Sequence, residues 1–123
     1  VYHLEAGIAA AHATAASVAE TDWTYIADCY DQLVALTPTA ILKLNRAIAF
    51  GMAHGPQLGL DALMRDELTT ALGSYATYWA ARADCQDRLG NVAAARTDLD
   101  RAIALTPHPP SRRRLQRRRA LLD

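Results

Sequence analysis

The sequence predicts an all-α protein of about seven short helices, and three observations predict it. Ala and Leu, both strong helix formers, number 26 and 16 of the 123 residues. Val, Ile and Phe number only 4, 5 and 1, so the β-branched and aromatic enrichment that strands need is missing. Apolar residues recur at steps of three and four along most of the chain.

The first helix is expected from Tyr2 to Ala19, with Leu4, Ile8, Ala11, Ala15 and Val18 on one face. Thr21-Asp22 is an N-cap signal for the second, whose stripe is Trp23, Ile26, Ala27, Tyr30, Leu33 and Val34. Thr37-Pro38 ends it, because a residue before proline avoids the helical region. Ile41, Leu44, Ile48 and Met52 mark the third, which Gly55-Pro56 stops. A shorter helix from Leu58 to Arg65 is expected to bury Leu60, Leu63 and Met64, and Asp66 to Ser74 read as a loop or broken turn. Tyr75, Tyr78, Trp79, Ala83 and Leu89 define the fifth helix, and Gly90-Asn91 interrupts it. Val92, Ala95, Leu99, Ala102 and Ile103 make the sixth, broken from Thr106 to Pro110. Ser111 to Leu122 forms the last, with Leu115 and Leu122 inward.

An internal repeat organises these helices. Tyr30 to Pro38 and Leu99 to Pro107 agree at five of nine positions, offset by 69 residues. That offset is about twice the ~34-residue period of a tetratricopeptide repeat. The unit from Trp79 to Pro107 fits such a repeat at Trp79, Ala83, Gly90, Ala95, Leu99, Ala102 and Pro107. Small residues let paired helices touch, while Gly and Pro set the turns. Arg82 and Gln86 depart from the pattern, standing where the repeat usually has Leu and Tyr. The expected architecture is therefore one tetratricopeptide-like domain over residues 1–123, and a generic Ala-rich bundle is the plainer alternative.

Composition narrows the function. Thirteen basic and thirteen acidic residues give zero net charge, which argues against a bulk electrostatic nucleic-acid binder. A 51% hydrophobic content is ample for a core. Two cysteines make no disulfide scaffold, so a reducing, cytoplasmic home is the default. No apolar run approaches the ~20 residues of a membrane helix, and no membrane partner is expected. Val1 is not followed by a signal-peptide pattern, so the chain reads as a piece of something longer.

Candidate chemistry is sparse. His3, His12, His54 and His108 have no metal-site spacing, no Gly-rich phosphate loop occurs, and Cys29 and Cys85 fall within helical stripes as buried thiols. Acid pairs such as Asp84/Asp87 and Asp98/Asp100 read as solvated helix surface. No active site, cofactor or metal is expected, and the chain does not read as an enzyme. Asn45 and Arg46 are candidates for holding a peptide backbone or carboxylate, or else for a structural hydrogen-bonding role. Residues 111–123 hold six Arg and one Asp, for +5, whereas residues 1–110 hold seven basic and twelve acidic groups, for −5. Arg112, Arg113, Arg117 and Arg118 are therefore candidate partner contacts, and the same helix reads equally as the polar cap that a helical array requires.

Several blocks carry a resemblance. They are Leu4 to Ala13, Thr21-Asp22-Trp23, Tyr30, Leu33, Pro38, Leu44-Asn45-Arg46-Ala47-Ile48-Ala49, Gly55-Pro56, Leu89-Gly90, Ala94-Ala95-Arg96, Ala102 to Leu105 and the Arg-rich Leu115 helix. Together they resemble the tetratricopeptide-like C-terminal extension of bacterial extracytoplasmic-function (ECF) sigma factors. The resemblance implies a regulatory appendage in transcription initiation, contacting the N-terminal sigma core regions or RNA polymerase. DNA would be touched only by promoter-reading regions that precede such an extension. A second reading, from a different class, is a small-molecule-sensing domain with a pocket lined by Trp23, Tyr30 and Trp79. A third is direct DNA contact through the arginine tail.

Overall fold

A computed structural model describes residues 4, 5, 7, 8 and 22–122 of the chain. Leu4, Glu5, Gly7 and Ile8 are helical, and the remainder of the helix expected from Tyr2 to Ala19 lies outside the described residues. Seven further helices follow: α1 Trp23–Leu36, α2 Ala40–His54, α3 Pro56–Leu63, α4 Asp66–Leu72, α5 Ala76–Arg88, α6 Val92–Ala104 and α7 Pro109–Leu121. No strand occurs among the described residues, so the chain is all-helical there. None of these helices is long and apolar enough to cross a membrane.

The chain divides into two compact units, Val1–Ala62 and Leu63–Asp123. In the first, α1 starts where the Asp22 carboxylate accepts the Tyr25 amide at 3.0 Å. It ends at Leu36, just before Thr37-Pro38. The Thr39 hydroxyl then accepts the Leu42 amide at 3.2 Å and starts α2. This short connection folds α2 back onto α1, against which it packs. Ile8, Ile26, Ala27, Cys29, Leu33 and Ala49 form one buried cluster, flanked by half-buried Leu4, Trp23, Tyr30 and Leu42.

Gly55 closes α2 at φ +115°, in backbone space that L side chains rarely adopt. Pro56 opens α3, so the Gly-Pro pair both stops one helix and starts the next, two residues before the expected start. Gly51 on α2 lies so near α3 that an added Cβ would stand 3.0 Å from Gly59 Cα.

In the second unit α5 packs on α6, and α6 on α7. The buried residues include Leu63, Leu68, Leu72, Tyr78, Trp79, Ala83, Cys85, Ala95, Leu99 and Ala102. Three sequence expectations are corrected here. Asp66 to Ser74 is not a loop, because Asp66–Leu72 is helical: Leu68 and Leu72, four apart, are both buried, and Asp66 and Glu67 favour the N-terminal turn. Met64 is 48% exposed rather than inward, because α3 stops at Leu63. The last helix starts at Pro109, since two prolines fit its first turn, where no amide partner is needed.

Candidate interaction surface

Within the second unit, polar contacts account for Arg82 and Gln86, two polar residues on the inner side of α5. Trp79 is buried, and its indole N–H donates to the Gly73 carbonyl at 2.8 Å. The Arg82 and Arg101 guanidinium carbons lie 4.7 and 4.5 Å from the Trp79 ring centroid. Arg82 also faces the Asp98 carboxylate at 3.4 Å. An apolar residue at 82 could not balance Asp98, which is buried and not, as the sequence suggests, solvated surface. Burial pushes the Asp98 carboxyl above its ordinary range, against the opposing pull of Arg82 and Arg101. Gln86 is buried as well, accepting from the Asn91 amide group at 2.9 Å across the α5–α6 turn.

Beside this core a groove of about 470 Å³ runs between α5 and α7. One wall carries Ser74, Tyr75, Thr77 and Ala80, the other Ser111, Arg114 and Leu115, and Leu105, Thr106 and Pro107 complete the lining. Tyr75 and Leu105 remain 42% and 37% exposed. One turn beyond Ala80 and Arg114, Asp84 and Arg118 bridge the two helices, with Nη2 and Oδ1 3.8 Å apart.

The predicted arginines therefore separate into two groups. Arg118 is tied to Asp84, and Arg119 donates to Asp100 at 3.1 Å. Arg112, Arg113 and Arg117 are exposed and form no ion pair among the described residues. Arg114, one of the six arginines of the tail but not among the four candidate contacts, lines the groove. No sequence signal distinguishes it from its neighbours, because the groove exists only once α5 and α7 have both packed on α6.

Asn45 and Arg46 belong to the first unit. Asn45 lines a smaller cleft of about 230 Å³ with Glu5, Ile8, Tyr30, Leu33 and Leu42. Burial, and then the Glu5 carboxylate, raise the Tyr30 phenol above its ordinary pKa. Arg46 Nε stands 3.9 Å from Asp31 Oδ1, a half-exposed pair joining α2 to α1. Of the aromatics named for a ligand pocket, Trp23 and Tyr30 lie in the first unit and buried Trp79 in the second. Cys29 and Cys85 are both free and buried, and burial raises the Cys85 thiol. Among the described residues no three His, Cys, Asp or Glu side chains are grouped to hold a metal ion.

No family model matches the chain. An uncharacterized protein of Rhizobium meliloti (strain 1021) is 39% identical over 104 residues, covering 85% of this chain. The chain spans about a quarter (24%) of that relative's length.

Proposed function

We propose that this chain is a tetratricopeptide-like protein-interaction module, the regulatory extension of an ECF sigma factor. In this reading it acts in the bacterial cytoplasm during transcription initiation. It contacts the sigma core regions or RNA polymerase and has no catalytic role. DNA is touched by the promoter-reading regions of the longer protein.

The observation that carries the reading is the repeated block. Tyr30 to Pro38 ends α1, Leu99 to Pro107 ends α6, and each of these helices packs on its neighbour in sequence before a Thr-Pro turn. Such units bury their apolar faces only by stacking, which leaves extended side-chain surfaces for a partner. The sigma-factor assignment rests on the Thr21-Asp22-Trp23 and Leu44-Asn45-Arg46-Ala47 blocks. The Rhizobium relative supports a module within a longer protein, since the matched stretch is a quarter of its length.

The test is a pull-down of purified ECF sigma core regions, and separately of RNA polymerase, with the 123-residue chain. Binding is expected, weakened by Arg46→Glu or by Arg112→Glu/Arg113→Glu/Arg117→Glu. Absence of binding to both at tens of micromolar would refute the reading.

A further inference from the structure

We propose that the α5–α7 groove binds an acidic polypeptide segment that also carries a large apolar side chain. The inference rests on the reading of the chain as an interaction module and names the surface and the chemistry of its partner.

The groove combines two features that call for different parts of one ligand. Its apolar lining of Tyr75, Ala80, Leu105, Pro107 and Leu115 suits an aliphatic or aromatic side chain, and its volume falls within the range of ligand pockets. Its charged member is Arg114, which has no ion pair among the described residues. Arg112, Arg113 and Arg117 stand within three residues of it on the same helix, exposed and likewise without an ion pair there. The second unit holds eleven basic and seven acidic residues, so its field is positive by four charges and favours an anionic partner.

The fold itself shows that α7 takes carboxylates. Asp84 and Asp100 each engage one arginine of this helix, and Asp84 does so at the end of the groove. A partner carboxylate at Arg114 would occupy the next position along the same row, one turn before Arg118. A nucleic acid fits less well. Two of the six arginines are already neutralised by the protein's own carboxylates, and the groove between the helices presents tyrosine, leucine and proline. A backbone of phosphates alone would leave that apolar surface unused.

The experiment uses the whole chain and fluorescence anisotropy. The probe is a fluorescein-labelled twelve-residue peptide of alternating Glu and Leu. Its controls are the same peptide with Gln for Glu, the same with Ala for Leu, and a labelled DNA duplex. Binding is expected for the Glu-Leu peptide, with each peptide control weaker by roughly fivefold or more. Arg114→Glu on one wall and Thr77→Glu on the other should each weaken it similarly, and Arg65→Glu, outside the groove, should not. Both groove positions are exposed or open to the groove, and circular dichroism confirms folding. Equal binding of the Gln peptide, indifference to Arg114→Glu and Thr77→Glu, or tight binding of DNA alone would each overturn the proposal. If sigma core regions bind but the acidic peptide does not, the groove assignment fails alone. If the peptide binds and neither sigma core nor polymerase does, the sigma-factor reading fails alone.

Discussion

Arg82 on α5 and Asp98 on α6 face each other at 3.4 Å, with side chains only 12% and 5% exposed. Two opposite charges thus cross an interface that also buries Ala83, Ala95, Leu99 and Ala102 and sets Arg101 against the Trp79 ring. Removing one partner leaves the other charge desolvated, and in buried pairs this costs about 3–5 kcal/mol. Arg82→Ala should therefore destabilise the second unit by about 3 kcal/mol, because Asp98 is left facing only Arg101. The double change Arg82→Leu/Asp98→Leu should recover most of that loss. Urea denaturation at neutral pH decides: a double variant no more stable than Arg82→Ala contradicts the account.

The same carboxylate sets a pH signature. Burial raises the Asp98 pKa above its ordinary value, so the folded protein holds this proton more tightly than the unfolded chain. The resulting stabilisation is complete below the ordinary carboxylate value and is lost as pH rises through the folded pKa. Relative to Asp98→Asn, the unmodified protein should therefore lose stability from acid toward neutral pH. Denaturation midpoints of the two proteins from pH 3 to 7 measure this, and a gap that is flat or opens the other way would count against it.

Tyr78 is fully buried, and its hydroxyl donates to the Leu63 carbonyl. With that proton committed, Thr69 is the donor in the 2.8 Å contact between the two hydroxyls. The phenol thereby ties the end of α3 and the middle of α4 to α5. Tyr78→Phe keeps the ring but strands the Leu63 carbonyl, at about 1–2 kcal/mol. Thr69→Val keeps the bond to Leu63 and should cost less. Thermal melts of the two variants give the order, and a larger loss for Thr69→Val would be inconsistent with it.

Gly51 is where α2 and α3 come closest. In an isolated helix Ala is more favourable than Gly by about 1 kcal/mol. Here the new methyl would meet Gly59 backbone at 3.0 Å, and a backbone atom cannot rotate away. Overpacking of this kind costs about 1–3 kcal/mol. Gly51→Ala should therefore lower the melting temperature despite the propensity gain, and a raised melting temperature would show that α3 is free to shift.

What the sequence made legible follows from how local each cause is. Helix periodicity is local, so the stripes Ile26, Leu33 and Val34 and Ala95, Leu99 and Ala102 lie on the buried faces they predict. Of the stripe Ile41, Leu44, Ile48 and Met52, by contrast, only Leu44 is buried, Ile41 is 43% exposed, and small Ala47, Ala49 and Gly51 are buried on α2 instead. The helix at Asp66–Leu72 carries little periodic signal because seven residues give too few turns for a period and Thr69-Thr70 has modest helix propensity. What signal there is lies in Leu68 and Leu72, four apart, and in Asp66-Glu67 at the first turn. The groove is lined by residues more than thirty positions apart, Thr77 and Arg114 among them, a juxtaposition that no window along the chain samples. The roles of Asp98 and Asp100, and the link of Asp84 to Arg118, are hidden for the same reason, since each involves an arginine on another helix, whereas the pair of Asp84 with Arg88 is four residues apart on α5.

Helix α7 supplies a test of how charge holds an element in place. None of its residues is fully buried, although Leu115 is half-buried. Its arginine pairs Arg113 with Arg117 and Arg114 with Arg118 stand four apart, a spacing at which like charges oppose the helix. Against this stand Arg118 with Asp84, Arg119 with Asp100, and the Arg96 guanidinium donating to the Leu122 carbonyl at 2.8 Å. Exposed ion pairs contribute at most about 1 kcal/mol each and fade as the screening length falls from ~30 Å at 0.01 M salt to ~3 Å at 1 M. Salt also screens the repulsion within the helix, so the two effects compete. The pairs hold α7 against its neighbours, whereas the repulsion acts mainly on its own helicity. Amide exchange in α7 should therefore accelerate relative to α5 and α6 as NaCl rises from 0.01 to 1 M. Asp84→Asn/Asp100→Asn at low salt should reproduce the faster exchange. If α7 is instead better protected at high salt, repulsion among its arginines outweighs the pairs, and the two aspartates are not what docks it.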